Sequence, residues 1–260
     1  MPERASTREW PLVAFTIALQ GACGMALAAI LLHWNHVVDQ RLVVGIFPLV
    51  AVGLVASLFH VGRPLFAWRA ARNALRSRLS REVVLTVAFA AAALAYAWQM
   101  TLIMGIVTAV FGLATVVSSA DIYLLPGQPL WNSAWLPASF GATAILLGGL
   151  IAVAAGERSV ATMALTVIGT VVLMLAAVGM LRRLMRLRQA CDRVELPAFL
   201  ATRQYLYLGI QFVLAGILPL ALAVGWTPDV LAWWTVAAAV VGAVLARMTM
   251  YSLTERLPRF

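Results

Sequence analysis

"VVLTVAFAAAALAYAWQMTLIMGIVTAVFGLATVV" fills residues 83–117 without a single charged side chain. A helix crosses the hydrocarbon core of a bilayer with roughly 20 apolar residues. The run is therefore too long for one crossing and nearly long enough for two. "AWQM" at residues 97–100 interrupts it near the middle and reads as a tight hairpin. Splitting there gives two short spans, 83–98 and 101–117, and fixes the count for the rest of the chain.

Before this run, spans are expected at 11–33 and 42–59, with the polar turn "WNHVVDQR" between them. After it they are expected at 136–155, 160–181, 205–223 and 231–246, with "GERS" and "GWTPD" as turns. The total is an eight-transmembrane-helix bundle, all-α, forming a single integral membrane domain over residues 1–260. Composition agrees: the chain is 63% hydrophobic and 11% charged, with a mean hydropathy of +0.93, whereas about a quarter of a soluble domain is charged. The run after "MPERASTREW" exceeds the apolar core of a signal peptide and shows no small-residue cleavage site, so it is expected to remain as the first span. Cys23 and Cys191 are expected to stay unpaired, and no metal-ligand spacing exists.

All nineteen basic residues are Arg. An even number of spans puts both termini on one side, together with seventeen of the Arg; only Arg41 and Arg158 fall opposite. The positive-inside rule makes the Arg-rich side, and with it both termini, cytoplasmic. A basic excess in such a protein reports topology and lipid headgroups, and no nucleic acid partner is expected. The two long Arg-rich loops follow the second and sixth spans, which suggests two parallel halves of four helices.

One of those loops, "HVGRPLFAWRAARNALRSRLSRE" at residues 60–82, gathers much of the polar chemistry. Every acid maps to a span end or a loop, whereas a proton-coupled transporter places carboxylates near the midplane. Haem needs two axial ligands, and His33, His36 and His60 offer no facing pair, so no haem and no metal are expected. His60 ends the second span and Glu82 begins the third on the same side. An imidazole that can bond a carbonyl and a carboxylate that can carry protons suit quinone chemistry. Headgroup anchoring by His60, with Glu82 at a helix N-terminus behind Ser80 as cap, explains the same residues. Between them, Trp68, Leu75 and Leu79 share one helical face and Arg69, Arg72 and Arg76 another, an amphipathic pattern suited to the interface. Arg63 and that Arg face would meet lipid phosphate or an acidic patch on a partner. Gln20 is a buried amide in the first span that needs a partner, either in packing or in a ligand.

Several segments resemble the membrane anchor subunit family of DMSO reductase. These are "EWPLVAFTIALQGACG" near the start, the residue 60–82 loop with its His-x-Gly-x-Pro opening and Leu-Ser-x-Glu close, "DIYLLPGQPLWNSAWLPASF", and "RMTMYSL" near the end. They occur in the family's order across nearly the whole chain. The resemblance implies a non-catalytic anchor that holds an iron–sulfur subunit and a molybdopterin catalytic subunit. It implies electron exchange with menaquinone or ubiquinone as an exchangeable substrate. The family's quinol-site histidine falls on His60 and its acidic partner on Glu82, with Arg247, Tyr251 and Gln20 as further candidates. Two positions depart from the pattern: Asp121 stands where the family often has Arg, and Ala243 where it often has Glu. The resemblance is compatible with a quinol-driven S- or N-oxide reductase and with a quinone-reducing sulfite dehydrogenase. A small-molecule transporter is the alternative from a different class.

Overall fold

The computed structural model describes residues 10–35, 38–60, 76–128, 131–190, 206, 209–225 and 229–254. Among these there is no strand. The helices are α1 (Trp10–Trp34), a short α2 (Gln40–Val44), α3 (Ile46–His60), α4 (Arg78–Gln99), α5 (Leu102–Tyr123), α6 (Trp135–Ala154), α7 (Val160–Ala190), α8 (Gly209–Ala223) and α9 (Ala232–Thr254). Among the described residues, seven helical stretches are long and apolar enough to cross a membrane; α8, with 15 residues, is a shorter apolar helix. It carries a π-turn at Val213–Ile217 just before Pro219. Proline has no N–H to give the preceding turn, and a widened turn accommodates the missing bond.

The hairpin expected at residues 97–100 is present, and both of its helices are longer than expected, at 22 residues each. Met100 adopts the left-handed conformation at φ 48° and its N–H bonds the Tyr96 carbonyl at 2.8 Å. Thr101 then caps α5 by accepting from the Met104 N–H. The chain reverses within two residues, because one closes a helix while the next opens another. The extra length lies at the far ends. α4 begins at Arg78 behind Ser77, whose hydroxyl is the cap, in place of the expected Ser80. α5 runs on through "SSADIY" to Tyr123, where the hydropathy pattern suggests a loop. Leu79 accordingly belongs to α4, where it is exposed, and cannot extend an interfacial helix from Trp68.

Contacts between helix ends define two faces. On one, Trp10 meets Phe59 at a ring separation of 5.7 Å, and Arg81 pairs with Asp121. Tyr123 meets both Phe140 and Tyr251 on the same face. On the other, His33 Nδ1 lies 3.1 Å from the Tyr96 hydroxyl, Gln40 donates to the Ala97 carbonyl, and Arg158 donates to the Leu222 carbonyl. The first face carries Arg76, Arg78, Arg81, Arg182, Arg183 and Arg186. Arg41 and Arg158 sit on the second, so the charge asymmetry is built into the packing.

α1 and α6, the first and fifth spans, cross at the centre of the bundle. A Cβ on Gly24 would lie 1.9 Å from the Ala144 carbonyl oxygen, and one on Gly148 would lie 2.1 Å from the Gly24 carbonyl oxygen. Backbones approach this closely only where side chains vanish, the usual means of association for helices in lipid. Most of α1 is buried, as its apolar circumference requires. α4 is two-faced: Glu82, Thr86, Phe89, Ala93 and Tyr96 point inward, while Val87, Leu94 and Trp98 point out toward lipid.

Candidate functional site

The Arg-rich face of the bundle contains a polar layer, built from helix ends. Glu82 lies one turn inside α4 and is only 5% exposed. The hydropathy pattern places it at the interface. The early start of α4 and the extension of α5 enclose it instead. Its carboxyl accepts a hydrogen bond from the Ser119 hydroxyl of α5. Thr86, one turn further along, donates to the Glu82 backbone carbonyl at 2.8 Å and leaves the carboxyl to Ser119.

One turn beyond Ser119, Tyr123 begins an aromatic cluster that ties α5 to α6 and α9. The Tyr251 hydroxyl donates to the Tyr123 hydroxyl at 2.6 Å. Trp131 stands edge-on to both rings, at 5.5 and 5.9 Å. Trp131 Nε1 donates to the Met250 carbonyl. One turn back along α9 from Tyr251, the Arg247 guanidinium lies 3.6 Å above the Phe140 ring and donates to Ser139 Oγ at 3.3 Å. Tyr123 also packs against Phe140, with centroids 5.8 Å apart. The Glu82–Ser119 pair and, one turn along α5, the cluster of Tyr123, Tyr251, Phe140 and Arg247 thus draw on four helices.

Gln20 is 1% exposed, and neither amide atom has a hydrogen-bond partner among the described residues. An amide in this position needs a partner, and the packing around it does not provide one. Its neighbour one turn on, Cys23, faces Gly112 of α5. Ser118 Oγ, also buried, is likewise without a partner among the described residues.

The backbone of His60 closes α3; its side chain, together with Arg63, Arg69 and Arg72, lies outside the described residues. Arg76 is exposed in the turn before Ser77. Arg78 and Arg81, which the sequence motifs do not single out, grip Asp121: Arg81 at 2.8 Å and Arg78 at 3.5 Å. Arg78 also donates to the carbonyls of Asp121 and Leu124. An Arg at position 121 would face two more guanidinium groups here, so the acid in this protein is matched to its neighbours. Sequence reasoning also misses Ser119, Tyr123, Ser139 and Phe140 as site residues. The available signal is a Ser-Ser-Ala-Asp run directly after an apolar span, one helical period from a tyrosine. Among the described residues no cluster of His, Cys, Asp or Glu is arranged to hold a metal.

A bundle of apolar helices whose buried polar residues collect at one Arg-rich face defines a polytopic membrane protein with a site near one membrane surface. Sequence comparison gives its family: the DMSO reductase anchor subunit (DmsC) family matches residues 4–253, and the protein belongs to it. It is 29% identical over 165 residues to the anaerobic dimethyl sulfoxide reductase protein YnfH of Escherichia coli, covering 56% of this sequence and 57% of that one. It is 29% identical over 157 residues to an anaerobic dimethyl sulfoxide reductase component of Haemophilus influenzae, covering 55% and 56%. It is also 31% identical over 164 residues to a sulfite dehydrogenase component of Allochromatium vinosum, covering 54% and 49%. The protein thus spans about half the length of the curated relatives it matches. No solved structure matches it. Membership in this family supports a membrane-anchor role.

Proposed function

We propose that this protein is the quinone-reactive anchor of a three-subunit molybdoenzyme. It passes electrons between the membrane quinone pool and an iron–sulfur subunit, which in turn serves a molybdopterin catalytic subunit. The observation that carries the reading is the buried Glu82 carboxyl, held by Ser119 at the Arg-rich face. An ionisable group retained inside a membrane bundle is costly and marks a functional site by default. Glu82 takes and returns the protons that accompany quinone reduction. His60, at the end of α3 on the same face, bonds a quinone carbonyl, and Gln20 and Tyr251 complete the surroundings; Arg247 instead lines a cavity that Glu82 does not reach. Menaquinone or ubiquinone is the exchangeable substrate; the anchor itself holds no haem and no metal.

In this reading α8 is an eighth crossing, and residues 1–260 form one membrane domain with both termini in the cytoplasm. The iron–sulfur subunit docks over the Arg-rich face, against Arg63, Arg69, Arg72 and Arg76. Electrons then travel directly from quinone to the partner's cluster. The reductase and the sulfite dehydrogenase directions share this anchor chemistry, and relatives of both names support it.

The test uses the assembled complex. Glu82→Gln and His60→Arg should each abolish electron transfer between quinol and the complex while leaving the subunits associated. Wild-type turnover in both variants would refute the site.

A further inference from the structure

A cavity opens near the same face, and Glu82 does not line it. It lies among α6, α7, α8 and α9, with a volume of about 90 Å³. Its walls are largely apolar, including Leu173, Ala177, Met180 and Leu184. Its polar lining includes Arg247, Gln211 and Ser139. Glu82, Ser119 and Tyr251 take no part in it.

Arg247 is 5% exposed, and one terminal nitrogen of its guanidinium, Nη2, has no hydrogen-bond partner among the described residues. Its other contacts are a serine hydroxyl and an aromatic ring, which are neutral. Both carboxylates on this face among the described residues are engaged elsewhere: Asp121 with Arg78 and Arg81, Glu82 with Ser119. A buried guanidinium in a membrane pairs with an acid or a carbonyl, or faces a cavity that holds water or a ligand. An occupant that carries negative oxygens and an apolar body matches both the cation and the walls. Quinone and quinol are neutral, so an oxyanion is the better match to the buried cation.

We infer that Arg247, Ser139 and Gln211 form a binding site for the phosphate group of a membrane phospholipid, whose acyl chain follows the apolar wall of α7. The guanidinium is suited to this because its planar edge offers parallel donors to phosphate oxygens. The site is independent of the quinone reading: it reads out as bound lipid, whether or not Glu82 handles protons.

Native mass spectrometry of the full-length protein, delipidated in detergent and then given dioleoylphosphatidylglycerol, tests the inference. Wild type should retain one phospholipid per molecule. Arg247→Met should lower its occupancy by roughly tenfold or more, the scale of one lost charge-assisted pair. Ala177→Phe, which fills the cavity and keeps the cation, should do the same. Should Arg247→Met fail to fold, Ala177→Phe alone decides. Dioleoylglycerol, which has the acyl chains without the phosphate, should not bind, and millimolar inorganic phosphate should not displace the lipid. Retention by either folded variant overturns the site. Equal binding of dioleoylglycerol overturns phosphate recognition, and displacement by inorganic phosphate overturns the lipid as its source. A quinone adduct at this site in place of the phospholipid also overturns the inference.

Discussion

The Ser119 hydroxyl donates a hydrogen bond to the Glu82 carboxyl across the interface of α4 and α5, and both residues are almost completely buried. Removing the hydroxyl leaves a buried acceptor unpaired, at a cost of about 1–3 kcal/mol. Ser119→Ala should therefore lower the stability of the detergent-solubilised protein by that amount in thermal unfolding. In the assembled complex it should reduce quinol-linked turnover by roughly tenfold, the equivalent of a 1.4 kcal/mol change at the barrier. Ser119→Thr, which keeps the hydroxyl, should restore both. Thr86→Val serves as the contrast, since Thr86 bonds only the Glu82 backbone carbonyl. If Thr86→Val impairs turnover as much as Ser119→Ala does, the Ser119 bond has no special role.

The crossing of α1 and α6 leaves no room for a methyl group at Gly24, whereas a Cβ on Gly141 would meet nothing within 4 Å. Gly24→Ala should cost about 1–3 kcal/mol or prevent accumulation of the protein, through forced separation of the two helices. Gly141→Ala in α6 should be neutral or stabilising by up to about 1 kcal/mol, from the better helix propensity of Ala. Thermal unfolding of the two variants side by side checks this; equal behaviour would contradict the close approach.

Asp121 makes exposed ion pairs with Arg78 and Arg81. Pairs of this kind contribute about 0–1 kcal/mol. Asp121→Asn should shift stability by no more than that, and less still at high salt, where exposed charges are screened. A salt-insensitive loss well above this range would mean that the clamp is shielded in the assembled protein.

The purified protein should contain no b-type haem. His33 lies against Tyr96 on the face opposite Glu82, so it does not supply a ligand to the Arg-rich face. A reduced-minus-oxidised difference spectrum with a haem band near one equivalent per molecule would contradict this.

Reporter fusions at Phe260 should register a cytoplasmic C-terminus. If the quinone site and the docked partner lie on that same face, as proposed, protons and electrons enter and leave from one side. Turnover in proteoliposomes should then generate little membrane potential, because moving a charge across the bilayer would store about 2.3 kcal/mol per 100 mV. A potential that builds with turnover would refute the one-sided arrangement even if the fusion result held.

The helical membrane class, the hairpin at Met100, the Arg asymmetry and the family are all legible in the sequence, because each depends on local composition or on residues adjacent along the backbone. An uncharged run of 35 residues has to fold back on itself, whatever else the protein does. What surrounds each polar group is a tertiary matter. Glu82 looks interfacial because a run of hydrophobicity ends beside it. It is buried because α5 continues through Ser119 to Tyr123, and serine hydroxyls remain in a helix inside a membrane when they find a partner on the next helix. Arg247 and Tyr251 are visible as a motif, but their separation into a cation lining a cavity and a hydroxyl bonded to Tyr123 depends on which helices meet α9. Sequence periodicity shows which face of a helix is turned inward. It does not show which neighbour that face meets, and in this bundle the neighbour sets the chemistry of Glu82, Tyr123, Arg247 and Tyr251.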